Sequence, residues 1–482
     1  MKRKLAIFGL CFAGAELFAA NMPPLVLVPA AALLLLLLSL SIARRSRALP
    51  LVLGAVAGLC WFCAFSFAVF RPVRALAGQT VACMVTVETD ATAAYQNGQL
   101  RGTLTVTGIN GKSCHFKMRS NGFPAQEPGE TFTADFTMTD LPKDAYRASR
   151  LSRGILLQGE YTGGYKTGAD SCAPRFALYR LRKNASALLR RWLPRDLGGL
   201  EAAMLLGDKA ALPDTVQDTF RAAGISHLLA VSGLHTGIVF ALVNLALWWL
   251  PLFRRGHLLK NLLAAVAVWL FVAAAGFPPS AVRAAAMCTV LQAALASASE
   301  YVGLNALAAA GFGMLVWNPS WLGDISFQLS FVAVAAILAW GVPLCRRCRT
   351  RWKGVNVVVD AYLIGFVATV ATAPLVSHTF GVVPLAGLAV NPLAIALAGV
   401  VVFGGALWML APVGFLAPAF GFVTGSAAEG ISALARLTAS LPGGAADYTL
   451  GGWPTAAVYA VFALATLAAW SGEPKKNVSL RT

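Results

Sequence analysis

The sequence predicts a polytopic α-helical membrane protein of about twelve transmembrane helices that carries a small extracytoplasmic β-barrel, OB-like in type, inserted after its first spans. Three observations predict it. Of 482 residues, 57% are hydrophobic and only 12% are charged, and the mean hydropathy is +0.67. Apolar runs near the roughly 20 residues that cross hydrocarbon recur along the chain. Between residues 71 and 177 they give way to short alternating segments, and alternation is the period of a strand.

Residues 1–70 hold three apolar runs, at 5–20, 24–42 and 51–70. The first two lie between basic clusters at 2–4 and 44–47 and are joined by Asn21-Met22-Pro23. Because Lys/Arg-rich loops stay in the cytoplasm, they read as an in-out-in hairpin, and the third run leads outward. No small-x-small cleavage site precedes a soluble region, so the first run reads as a span rather than a removed leader. The net charge of +18 could suit a polyanion. Much of it, however, sits in clusters between apolar runs, at 2–4, 44–47, 254–260, 346–353 and Lys475-Lys476, and topology explains those first.

The stretch 71–177 therefore lies outside the cytoplasm, with strands expected at 81–88, 102–109, 112–118, 131–138 and 155–161. Asn110-Gly111 tolerates positive φ and suits a type I′ hairpin. Strands of this number and length fit an OB-type barrel, a fold whose usual ligands are oligonucleotides or oligosaccharides, although fold alone assigns no function. Arg101, Lys112, Lys117 and Arg119, with Phe116 and Tyr95, offer the cations and aromatics of single-strand binding. For each, a solvated strand face or a core aromatic is the competing reading. Cys83, Cys114 and Cys172 fall in this oxidisable domain, so one disulfide is expected. Cys114 with Cys172 is the preferred pairing, although spacing does not fix connectivity. Cys345-Arg-Arg-Cys348 lacks a second ligand pair and reads as reduced thiols.

Residues 178–195 follow as an amphipathic interfacial helix, with Leu178, Leu181, Ala185, Leu188, Leu189 and Trp192 on one face and Arg180, Lys183, Arg190 and Arg191 on the other. A transmembrane region from 196 to 472 comes next, with apolar runs at 228–252, 262–275, 281–296, 304–316, 327–344, 355–375, 391–410, 413–439 and 456–470. The alternation puts both termini, including the tail 473–482, in the cytoplasm. Pro384, Gly387 and Asn391-Pro392 are expected to break a helix, which membrane depth tolerates only where the backbone is buried or lines a wet cavity.

Polar groups kept inside or beside these runs mark a pathway, because an ionisable side chain in hydrocarbon costs roughly 2.5–3.5 kcal/mol on insertion scales. They are Asp208, Lys209, His227, Ser232, His235, Arg283, Asp324, Ser326, Gln328, Ser330, His378 and Asn391. Arg283 and Asp324 each begin an apolar run on the same side, which suggests a shared polar vestibule; the competing reading is that the two pair with each other. Ser232-Gly233-Leu234-His235 suits close helix approach with hydroxyl and imidazole facing a wet cavity. His227 and His235 with Asp208 do not complete a ligand set, so no metal and no cofactor are expected. A proton-relaying small-solute transporter using Asp208, His235 and Asp324, and a polymer-binding membrane scaffold, are the alternative classes.

LLGDKAALP at 205–213, GISHLLAVSGLH at 224–235, FPPSAVRAAAM at 277–287 and NPSWLGDISFQLSF at 318–331 resemble, in order, the competence domain of the ComEC family of DNA-internalisation channels. The resemblance implies a bacterial inner-membrane channel that passes single-stranded DNA into the cytoplasm during natural transformation. It implies a periplasmic DNA receptor and a cytoplasmic helicase or strand-binding protein as partners, the latter because the chain has no GxxxxGK[ST] motif. Many relatives also carry a metallo-β-lactamase-like domain. Here the five histidines form no HxHxDH arrangement for two metals. No catalytic residue is therefore expected, and strand degradation would fall to a separate nuclease.

Overall fold

The computed structural model describes residues 4–21, 33–34, 37, 49–88, 92–93, 100–124, 126–142, 144, 146–168, 173–193, 195–208, 212–253, 256–296, 302–383, 386–410, 417–441 and 446–471. Two compact units contain them. One is formed by Met1–Pro213, His227–Ser330 and Leu397–Gly430, the other by Asp214–Ser226, Phe331–Ala396 and Ile431–Thr482.

The first unit begins with α1 (Lys4–Asn21) and α2 (Leu49–Phe65), the latter running on through a wide turn at Ser66–Phe70 into Arg71–Arg74. Two glycines four apart let these helices touch. A Cβ on Gly54 would lie 2.5 Å from the Phe8 carbonyl oxygen, and one on Gly58 would collide with the Phe12 carbonyl. This is the small-xxx-small contact that brings apolar helices together without a hydrophobic driving force. Phe12 also meets Phe312 edge to face at 4.9 Å. Most of the expected span 24–42 lies outside the described residues.

The barrel is built from β1 (Thr80–Val87), a short β2 (Thr92–Ala93), β3 (Leu100–Ile109), β4 (Lys112–Phe123), β5 (Thr131–Asp140) and β6 (Ile155–Thr167). The strands run in the order β1-β5-β6-β4-β3, and β1 pairs with β3 to close the ring. All five expected strands form, several of them longer than their alternation suggested. β4 and β6 pair in parallel; the other long pairs are antiparallel. Asn110 and Gly111 have φ of 48° and 80°, the two positive values of a type I′ turn. Val81, Cys83, Val85 and Val87 alternate inward against Leu104, Met118, Phe132 and Phe136. Phe116, offered by the sequence as a strand-binding aromatic or a core aromatic, belongs to that core at 6% exposure, because its register opposite Val106 puts it on the inner face. Burial in this core pushes the Cys83 thiol up to about 12. Cys114 is half-buried on β4, and its expected partner Cys172 lies outside the described residues.

Between β5 and β6 sits a short helix, α3 (Arg147–Ser152), and after β6 come α4 (Pro174–Trp192) and α5 (Arg195–Leu206). α4 is the expected amphipathic helix. It buries Phe176, Ser186 and Leu189 and leaves Leu181 and Leu188 exposed beside its cations. Trp192 ends it by stacking on Trp408 at 4.4 Å and 5°.

The second unit contains α6 (Asp214–Ala222). Chain order then returns to the first unit for α7 (Gly233–Ala246), α8 (Gly256–Ala274), α9 (Pro279–Ala296) and α10 (Gly303–Trp317). Hydrogen bonds from Trp269 to Thr289 and from Gln292 to Asn244, at 3.0 and 3.3 Å, tie α8 and α7 to α9. The expected continuous run 228–252 is interrupted: a tight turn at Ser226–Leu229 precedes α7 and another at Leu250–Leu252 follows it. Ser232-Gly233 starts a helix, and Pro251 ends the apolar stretch.

α11 (Ile325–Ala336) is extended by a wide turn at Ile337–Gly341 and by Val342–Arg347; α12 (Lys353–Phe380), α13 (Gly387–Leu410), α14 (Ala417–Ala439) and α15 (Gly452–Ser471) complete the chain. In the second unit, α12 ends on Gly381 at φ 70°, and β7 (Val382–Val383) pairs with β8 (Ala446–Asp447). The break expected around 381–392 therefore ends before Gly387. Asn391-Pro392 lies inside α13, with the Pro392 ring 3.7 Å from where a Gly365 side chain would begin. Pro384 lies outside the described residues. Among the described residues, five helices are long and apolar enough to cross a membrane: Val52–Arg74, Gly256–Ala274, Ile325–Arg347, Lys353–Phe380 and Gly387–Trp408.

Gly58→Ala should weaken the α1–α2 pair by the overpacking cost of about 1–3 kcal/mol, read as a lower thermal unfolding midpoint of the purified chain. Gly14→Ala, where an added methyl meets nothing within 4 Å, should leave that midpoint in place.

Candidate functional site

Polar groups of the first unit gather where α7 and α9 begin, with Ser330 of α11 beside them. α8 closes with a Schellman-type turn: the Phe277 amide donates to the Val272 carbonyl and the Gly276 amide to Ala273, with φ positive at both Gly276 and Phe277. Pro279 then opens α9 in the position that needs no amide donor, and Arg283 follows one turn later.

Ser232 caps α7. Its Oγ accepts from the Leu234 amide at 3.2 Å, and its own amide donates to Nδ1 of His235 at 2.9 Å. This is a capping box with imidazole in the place usually taken by Glu or Gln. The accepting role of Nδ1 leaves the proton on Nε2. His235 is fully buried, and Nε2 has no partner among the described residues.

Arg283 reaches the same turn from α9. Its Nε donates to Ser330 Oγ at 2.7 Å, and one terminal nitrogen lies 2.9 Å from where a Cβ on Gly233 would sit. Glycine at 233 leaves the guanidinium room to lie across the first turn of α7. Arg283 is 7% exposed, and among the described residues no carboxylate pairs with it. Ser280 supports the arrangement by donating to the Val231 carbonyl at 2.9 Å. A buried cation without a counterion, set against a helix N-terminus whose amides and dipole favour negative charge, is arranged to receive an anion.

Asp324 is elsewhere. It does not pair with Arg283. One oxygen accepts from the amides of Ser326 and Phe327, at 2.8 and 3.3 Å, as the cap of α11. The other accepts from Ser152 Oγ at 2.7 Å. The Ser152 carbonyl in turn accepts from the Asn318 side chain and the Trp321 indole, each at 2.9 Å. Asp324 thus docks α3 of the barrel and is absent from the proposed vestibule, its oxygens being committed to these donors. Gln328 donates to the Leu322 carbonyl at 2.8 Å and braces the same loop.

Asp208 is held by α4, accepting from Ser186 at 2.5 Å and lying 3.5 Å from Arg190. His227 is exposed at the turn before α7, and Lys209 lies outside the described residues. In the second unit, His378 Nδ1 meets the Leu450 carbonyl at 2.9 Å, while the buried Asn391 Oδ1 has no partner among the described residues.

On the barrel, register brings Arg101 opposite Asn121 and Arg119 opposite Gln158. These four, with Leu141 and Arg150, line a cavity of about 290 Å³. Arg150 forks onto Asp144 at 3.0 and 2.8 Å, and this pairing holds the Asp144 carboxyl below its ordinary range. Lys117 and Arg175 both neutralise Glu88, at 3.5 and 3.2 Å. Lys112 is exposed at the hairpin, and Phe116 is core. The cavity therefore unites two of the expected barrel contacts, Arg101 and Arg119.

Helices of membrane length, with a buried cationic site at the start of an apolar helix, define an integral membrane protein. The family model for competence protein matches residues 204–474, more than half of the chain and all the residues of the Arg283 site. The chain belongs to this family, the ComEC family that its motifs resemble. It is 27% identical over 206 residues to ComE operon protein 3 of Bacillus subtilis (strain 168), covering 43% of this chain and 25% of that relative. It is 32% identical over 195 residues to an uncharacterized protein of Aquifex aeolicus (strain VF5), covering 40% and 43%. The chain thus spans less than half the length of either relative. No solved structure matches it.

His235→Ala removes the acceptor for the Ser232 amide and should cost about 1 kcal/mol, the usual worth of a cap, seen as earlier thermal unfolding. His235→Gln keeps the capping box and should restore the midpoint.

Proposed function

We propose that this chain is the inner-membrane channel that carries single-stranded DNA into the cytoplasm during natural transformation. Membership of the competence family supports the process. The buried guanidinium of Arg283 over the first turn of α7, with no carboxylate partner among the described residues, carries the mechanism. A strand has one phosphate per nucleotide, and a passing phosphodiester would find there a guanidinium fork and the N-terminal end of a helix. Few cations, spaced apart, suit transit, because a continuous row would hold the strand in place.

The barrel is read as OB-type, supported by its ring order and its single parallel pair, and as lying in the periplasm on about twelve spans with both termini inside. Its cavity around Arg101 and Arg119 is the proposed first phosphate contact. Asp208, Lys209, His227, Ser232, His235, Gln328, Ser330, His378 and Asn391 are kept as candidate residues of the route or its supports. The proposed chemistry is transport without a catalytic step. A periplasmic receptor, a cytoplasmic helicase or strand-binding protein and a separate nuclease are the proposed partners.

The test is transformation by chromosomal DNA in a strain lacking this gene, complemented with wild type or Arg283→Ala at matched membrane abundance. Losing a charge-assisted hydrogen bond costs about 1.5–3 kcal/mol. The variant should therefore transform roughly 10- to 100-fold less well, with DNA still reaching the periplasm. Undiminished transformation in the deletion strain would falsify the reading.

A further inference from the structure

Glu201 lies on α5 with no exposed surface, and neither carboxyl oxygen has a hydrogen-bond partner among the described residues. Its surroundings are shaped to it. A Cβ on Gly405 of α13 would collide with Glu201 Oε1 and lie 3.3 Å from Leu205. Leu200, Ala202, Ala203 and Leu205 around it on α5 are all buried. The carboxyl is therefore seated against bare backbone inside an apolar layer.

Among the described residues, the neighbouring elements bring no counter-charge. On α4 the cation meeting α5 is Arg190, whose backbone packs on Gly198 and whose guanidinium turns to Asp208. Arg180, Lys183 and Arg191 of α4 are exposed. α13 contributes Gly404, Gly405 and Trp408. On α14, Thr424 faces Gly404 and donates to the Phe420 carbonyl, while Glu429 and Arg436 are exposed.

An ionised carboxylate so placed would lose its hydration with nothing in return, a penalty of several kcal/mol. A metal cation would need a shell of several oxygens, and the described residues hold no cluster of three or more metal-ligating side chains. The proton is the cation that one carboxyl can bind alone.

We propose that Glu201 is a proton-binding site, occupied in the closed arrangement of α5 on α13 and exchanging its proton with water when that contact opens during the working cycle. Release breaks the carboxyl O–H bond, leaves the carboxylate and passes the proton to a water molecule; rebinding reverses it.

Labelling tests this apart from transport. Dicyclohexylcarbodiimide adds to protonated carboxyls in apolar surroundings, and mass spectrometry of the full-length chain in detergent locates the adduct. The expected result is an adduct on the Glu201 peptide at about pH 6 that declines by about pH 10, and none on that peptide in Glu201→Gln. A Glu201 peptide left unmodified at the lower pH, or labelled equally across the range, overturns the proposal. In cells, Glu201→Gln at wild-type abundance mimics the neutral acid but cannot exchange, so transformation should fall about tenfold or more; full transformation by this variant also overturns it. A failure of the DNA-channel reading is recognised separately, by normal transformation in the deletion strain.

Discussion

The structure depends on one constraint: in apolar surroundings, every polar group must find its partner within the protein. The helices meet it locally. Thr236, Thr289, Thr372, Thr424, Thr438 and Thr455 each donate to the carbonyl four residues back, so their hydroxyls are satisfied without leaving their own helix. Helix ends meet it by capping, as at Ser232 and Asp324. Helix contacts meet it by glycine where backbones approach, as at Gly54 and Gly58, or by paired side chains, as between Trp269 and Thr289.

Against that background, a few buried polar groups stand apart. Among the described residues, His235 Nε2 and the carboxyl of Glu201 are buried without partners, and Arg283 is buried without a counter-charge. The three differ in what would complete them: an acceptor for His235, an anion for Arg283, a proton for Glu201. Glu16 on α1 is likewise buried, with both oxygens unpartnered among the described residues. Groups of this kind destabilise a fold unless something else meets their need, which is why their positions, more than the count of charges on the surface, indicate what such a protein handles.

Much of this was legible in the sequence, and the limits have physical causes. Strand alternation and Asn110-Gly111 located the barrel because period and turn chemistry are local properties. Arg283, Ser232 and His235 were legible because an ionisable or hydroxyl group in an apolar run stands out. The structure does not bring Asp324 together with Arg283: its partner Ser152 lies 172 residues earlier, and no local pattern reports so distant a contact. For Phe116, the sequence leaves a nucleic-acid contact and a core aromatic both open, and its place opposite Val106 decides for the core. Glu201 has no local signal, because it sits in a short segment beside Arg195 and Asp196 that nothing in the pattern sets apart. The pair Gly54 and Gly58 did carry a readable signal, the GAVAG spacing at 54–58.

The docking of Ser152 also dictates an order of assembly. Asn318, Trp321 and Asp324 are synthesised well over a hundred residues after the barrel strand that follows Ser152 is complete. At about 5–20 residues per second, that separation corresponds to a delay on the order of ten seconds or more. The barrel must therefore close on its own and persist undocked while α7 to α10 are inserted. Its sealed ring of strands, which leaves few open edges for misplaced pairing, suits it to that interval.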